Sequence, residues 1–133
     1  MDVSQARLFT LEEANGLLGE LRPLVERMRL AYGTLHAARA RLADLAEKAV
    51  AGGGSRMPPH LMQAGDHLES SILAIQRYGV VIKDLGMGLI DFPAELQGRQ
   101  VFLCWRPGEA EVGFWHEVDG GFAGRQPLDP AAG

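Results

Sequence analysis

The apolar residues of this chain keep two different rhythms, and the change from one to the other sets the fold. From residue 14 to about residue 50 they recur in alternating steps of three and four. Ala14, Leu21, Met28, Leu35, Leu42 and Ala49 form one set; Leu17, Leu24, Ala31, Ala38 and Leu45 form the other. That spacing gathers them on one stripe of a helix, with Arg and Glu on the opposite side. The rhythm resumes at Leu61, Leu68, Ile75 and Ile82, with Gly65, Ile72 and Gly79 in the second register. After Gly86 the period falls to two, the alternation of a half-buried strand.

The punctuation agrees with this division. Thr10-Leu11-Glu12-Glu13 reads as a capping box, in which the Thr10 side chain accepts from the Glu13 N–H and Glu13 reaches back to the Thr10 N–H. Phe9, just before it, is placed to staple against Ala14. The pattern predicts a first helix over about 11–50, bent near Pro23 or divided there, because proline removes a backbone donor and crowds the preceding turn. Gly33 weakens it further. Gly52-Gly53-Gly54-Ser55 reads as a flexible turn, Pro59 suits the first turn of a second helix, and that helix is expected over about 59–84. Leu89–Phe92, Gln100–Trp105 and Glu111–Glu117 read as three strands, the last two joined by Arg106-Pro107-Gly108-Glu109 with Pro and Gly where a type II turn places them.

The expected fold is therefore α+β: a long antiparallel helical hairpin over 8–86, then a three-stranded antiparallel β-meander and loop over 87–128, with 129–133 as a tail. At 133 residues this is a single domain, large enough to bury a core without disulfide or metal staples. A helix of 40 residues would run roughly 60 Å, at about 1.5 Å per residue. The second helix is too short to cover it, so a homodimer through the helices is expected.

Charge excludes some partners. Residues 1–56 carry eight Arg/Lys against seven Asp/Glu; residues 57–133 carry five against ten, which together give the net −4. An acidic C-terminal half does not suit a phosphate backbone, so nucleic acid is not an expected partner. Arg22, Arg29, Arg39 and Arg41 are interleaved with Glu and read as a solvated helix face. No stretch approaches the roughly 20 apolar residues of a membrane span. The N-terminus lacks the basic-then-apolar pattern of a secretory signal, and one cysteine cannot make an internal disulfide. A cytoplasmic location is expected.

Several motifs occur in order: Phe9-Thr10-Leu11-Glu12-Glu13-Ala14-Asn15, Lys83-Asp84-Leu85, Gly88-Leu89-Ile90-Asp91-Phe92-Pro93, Leu103-Cys104-Trp105-Arg106, Gly108-Glu109, Phe114-Trp115-His116 and Gly121-Phe122-Ala123-Gly124-Arg125. Through this ordered set the chain resembles the uncharacterised prokaryotic family DUF2203 over about residues 8–128. Between 30 and 75 the resemblance is only that of a heptad-patterned helical segment. It implies the domain boundary and a bacterial cytosolic setting, and it implies no mechanism.

Candidate chemistry falls into three readings. A metal site would use Cys104, His116, Asp91 and Glu109, with His60 or His67 as further donors: thiolate, imidazole and carboxylate suit a zinc-like ion, although none of the usual short ligand spacings occurs. The competing view makes Cys104 a small buried hydrophobe and His116 a hydrogen-bonded strand residue. A nucleophile reading makes Cys104 the attacking thiolate, His116 its base and Asp91 or Glu109 the orienting carboxylate; burial beside Leu103 and Trp105 opposes it. A ligand-binding reading groups Trp105, Trp115, His116, Arg125 and Asp91, with Phe122 and the glycines before Arg125, as an aromatic surface with an anchoring cation. Against it, tryptophans usually carry cores. His60 and His67 are seven residues apart, too far to share one ion on a regular helix. The reading preferred on balance is a non-catalytic oligomerisation or binding module needing no cofactor, with an aromatic and Arg125 recognition surface on the sheet. The alternative is a small metal- or ligand-dependent enzyme centred on Cys104 and His116.

Overall fold

The structure, a computed structural model, describes residues 7–48 and 57–128. Two helices, α1 (Leu11–Lys48) and α2 (Pro59–Arg77), precede five strands: β1 (Val81–Asp84), β2 (Leu89–Leu96), β3 (Arg99–Trp105), β4 (Phe114–Glu117) and β5 (Gln126–Pro127). The strands form one antiparallel sheet in chain order, so each pairs with the next.

The capping box forms as the sequence predicts: Thr10 N–H donates to Glu13 Oε1 at 2.8 Å, and Glu13 N–H donates to Thr10 Oγ1 at 3.0 Å. Pro23 lies inside α1, which continues through it as one helix. Among its described side chains the buried ones are Ala14, Leu18, Leu21, Val25, Met28 and Ala31. Leu18 and Val25 belong to neither heptad set, while Leu17 and Leu24 are only half-buried. The helix meets both α2 and the sheet, so it buries a broader arc than a two-helix seam requires. α1 and α2 pack on each other, but the chain from 49 to 56, where the expected Gly52–Ser55 turn falls, lies outside the described residues. What stands is two helices followed by an antiparallel sheet.

The sheet has five strands, not three, and the two additions have separate causes. Residues 81–84 were expected as the end of α2, since Ile82 keeps the heptad phase. The helix instead stops at Arg77: Tyr78 N–H turns to Ile75 O, Gly79 N–H bonds Gln76 O, and Gly79 takes φ +87°, a left-handed conformation that ends helices. The chain beyond is free to form β1. At the other end Gln126–Pro127, expected as irregular, pairs with Phe114–Trp115.

β2 also runs past Pro93 to Leu96. Pro93 O accepts the Phe9 N–H at 2.7 Å, so this residue's backbone faces the edge beyond the end of β1 and its missing N–H removes no bond to β3. A two-residue loop at Gln97 (φ 52°) and Gly98 (φ 81°) then returns the chain as β3. β4 is shorter than the expected Glu111–Glu117, because the Val112 N–H is taken by Asn15 Oδ1 of α1 at 2.7 Å.

Side chains alternate across the sheet. Ile90, Phe92, Ala94, Val101, Leu103 and Trp105 face the helices and fill the core with Leu21, Val25, Met28 and Ile75. The opposite face carries Asp91, Pro93, Phe102, Cys104, Phe114 and His116.

Candidate functional site

Register brings three of the predicted residues together. Asp91 on β2 is paired with Cys104 on β3, and Phe102, two residues back on the same face, is paired with His116 on β4. The ligating atoms of Asp91, Cys104 and His116 all lie within 4.8 Å of one another. The cluster sits on the face turned away from the helices, yet it is sealed: Asp91 and Cys104 are 0% exposed and His116 is 1%.

His116 is held at both ends. Nε2 lies 2.8 Å from Asp91 Oδ2, and Nδ1 lies 2.6 Å from the Glu117 carbonyl oxygen. The Glu117 carbonyl can only accept, so Nδ1 carries a proton and donates to it, and a second proton lies along the Nε2···Oδ2 contact. The other Asp91 oxygen, Oδ1, has no hydrogen-bond partner. Burial pushes the Asp91 carboxyl up, against the pull of His116, the Cys104 thiol and Lys83. Burial, reinforced by the Asp91 charge, pushes the Cys104 thiol up to about 12, with Arg125 opposing. Cys104 is therefore a thiol, not a thiolate, and lacks the solvent access of a reactive cysteine.

Arg125 roofs the cluster. Its guanidinium lies against Cys104, 4.0 Å from the Phe114 ring centre and 5.0 Å from that of Phe122, which sits in the 3-10 turn Phe122–Gly124. Its Nη2 donates to both oxygens of Glu109, at 2.8 and 2.7 Å. Glu117, on β4, instead meets Arg99 at 2.7 Å. On the other side Lys83 lies 5.4 Å from the Phe102 ring centre, and Phe102 tilts against His116 at 5.5 Å.

The remaining predicted residues fall elsewhere. Glu109 does not join the cluster: its carboxylate holds Arg125 and the Arg106 N–H, and its carbonyl accepts the Trp105 indole N–H at 3.0 Å. It serves as a clamp on the β3–β4 connection. Trp105 and Trp115 do not share a face with Asp91, His116 and Arg125, so the five do not converge. Trp105 is buried in the core, and Trp115 lines a groove of about 520 Å3 on the helix side with Leu8, Phe9, Leu96, Val101 and Leu128. His60 and His67 lie along a shallow depression between α1 and α2. Asn15, the last residue of the Phe9–Asn15 motif, anchors the chain before β4 to α1, a contact that its place in the motif did not announce.

Three comparisons with known proteins bear on this arrangement. The family profile of the uncharacterized conserved protein DUF2203 matches residues 7–128. No curated protein and no solved structure matches.

Proposed function

The chain belongs to the DUF2203 family, and from that premise we propose that it is a non-catalytic assembly and binding module that pairs with a second copy through the distal half of α1. The observation that carries this is where burial stops. Ala31 is the last fully buried residue of α1 among those described, yet the apolar stripe goes on through half-buried Leu35 and Ala38 to Leu42, which is 46% exposed.

Length gives the same result. At about 1.5 Å per residue, α1 runs about 57 Å and α2 about 28 Å. The shorter helix and the sheet cover the first half of the longer one. A second copy presenting the same stripe is self-complementary in the way a two-fold interface requires. Heptad spacing across Leu35 and Leu42 suits helix pairing, and the coiled-coil and homodimer expectations are retained in this form.

The sheet's outer face supplies the recognition surface. Phe122 is exposed there beside Arg106 and Arg125, while Phe102 and Phe114 are half-buried. This narrows the aromatic surface read from the sequence to its phenylalanines, since Trp105 is packed shut. A thiol held protonated and out of solvent supports the non-catalytic reading over a Cys104 nucleophile. Among the described residues no helix is long and apolar enough to cross a membrane. A lone reduced cysteine suits a reducing compartment such as a bacterial cytoplasm.

The test is light scattering at micromolar concentration. The native chain should give twice the monomer mass, and the Leu35→Glu/Leu42→Glu double variant the monomer mass with an unchanged circular dichroism spectrum. A native chain that runs as a monomer overturns the reading.

A further inference from the structure

We propose that Asp91, Cys104 and His116 form a binding site for one divalent transition-metal ion of the zinc class, sealed into the outer face of the sheet. The inference is independent of dimer formation. It rests on donor chemistry, on two buried polar atoms without partners, and on charge.

The donors are a thiol, an imidazole and a carboxylate from three successive strands, a set suited to zinc. Around a tetrahedral ion with bonds of about 2.0–2.3 Å, donor atoms stand roughly 3.4 Å apart. Here they lie within 4.8 Å, with Nε2 and Oδ2 at 2.8 Å. An ion fits if that hydrogen bond opens by about half an ångström and the sulfur swings inward, both of which are side-chain rotations. Asp91 Oδ1, fully buried and unpartnered, turns toward the ion together with Oδ2, so that the carboxylate fills one vertex of the tetrahedron and a water takes the fourth.

The surroundings already have the form of a second coordination layer. His116 Nδ1 donates to the Glu117 carbonyl, the contact that fixes the tautomer of a ligating histidine and turns Nε2 toward an ion. Arg125 Nε is likewise buried without a partner, and its guanidinium lies against Cys104. It can donate to the sulfur once the thiol becomes a thiolate. A single change, replacement of two protons by one ion, thus satisfies both orphaned atoms.

The charges close as well. A dication is neutralised by the Asp91 carboxylate and the Cys104 thiolate, while Arg125 and Glu109 neutralise each other through their own ion pair. In the metal-free chain the Nε2···Oδ2 proton and the thiol proton occupy the positions that the ion takes. Binding releases both to solvent, and no bond other than S–H and the shared N–H···O is broken.

The experiment is titration of the full chain, stripped by chelation and kept reduced, with Co2+ and then Zn2+. One Co2+ per chain is expected, with a sulfur-to-cobalt charge-transfer band and the visible bands of a tetrahedral site, all removed by one equivalent of Zn2+. Cys104→Ser should remove the charge-transfer band, and His116→Gln should weaken binding at least tenfold, with folding of both checked by circular dichroism. Should either variant fail to fold, the native chain still decides: zinc binding in weakly buffered solution near neutral pH should release close to two protons per ion. The proposal is overturned if cobalt gives no charge-transfer band, if the band survives Cys104→Ser, or if zinc binds without releasing protons.

Discussion

His116 and Asp91 satisfy each other at the cost of being inseparable. Each is buried, so truncating one leaves the other without a partner, a change that costs about 3–5 kcal/mol for buried charged pairs. His116→Ala should lower the unfolding free energy by about that much in a urea titration. The loss should grow with pH: an Asp91 carboxyl already raised by burial, and now deprived of the imidazole, keeps its proton more tightly in the folded than in the unfolded chain. The group's contribution is then fully present below the unfolded value of 3.8 and is lost as pH rises through the folded one. Cys104 gives a second measurement. With its thiol pushed up to about 12 and no exposed surface, it should resist iodoacetamide at pH 8 in the native chain and react at once in denaturant; rapid native labelling would contradict its burial. This cluster was half legible in the sequence. Cys104 and His116 could be placed on neighbouring strands, but their sharing a face with Asp91 depends on register, which a one-residue slip reverses. The misplaced residues had a readable sign. Trp105 follows Cys104 and Trp115 precedes His116, so by alternation alone neither tryptophan can lie on the face of its neighbour.

At the scale of elements, local chemistry written in a few consecutive residues was the most readable. The Thr10–Glu13 box starts α1 as foreseen, and Thr10→Ala should cost about 1 kcal/mol. Hydrogen bonds from Thr10 hold the Glu13 carboxyl below its ordinary value of 4.5, so Glu13 binds its proton less tightly in the folded chain. Its contribution is therefore present above 4.5 and is lost as pH falls through the lower folded value. Glu13→Gln should flatten that part of the acid limb in a pH series of thermal melts, and an unchanged limb would remove Glu13 from the account. The misjudged boundaries share one cause: a tertiary or backbone constraint overrode the pattern. Ile82 kept the helical phase while Gly79, three residues earlier, had already turned the chain at positive φ. Pro93 looked like the end of a strand, and only the place of Phe9 beside it shows why the strand passes through. Gln97-Gly98 makes a two-residue hairpin without the Asn-Gly or Asp-Gly that announces one.

Across the whole molecule the two ends of α1 live in different environments. Residues 14–31 are clamped between α2 and the sheet, and two of their side chains hold the connections between strands: Asn15 accepts from the Val112 N–H, and Arg29 donates to Gly86 O at 3.3 Å. From residue 32 to 44 no side chain is fully buried. A helix of that length without tertiary cover is marginal in water, because nucleation is costly and each added residue gains little. The stability of the distal half must then follow whatever covers it. If a second copy does, opening of this half is linked to dissociation, and its free energy rises with protein concentration by mass action. Hydrogen exchange read residue by residue separates the cases. Amides of residues 33–44 should exchange slowly at high concentration and lose protection on dilution, while those of residues 17–31 stay constant because their cover is intramolecular. Protection of 33–44 that ignores concentration would mean that the chain covers its own helix, and α1 would then be long for a reason internal to the monomer. Concentration-dependent protection across both halves would mean that the core itself forms only in the dimer.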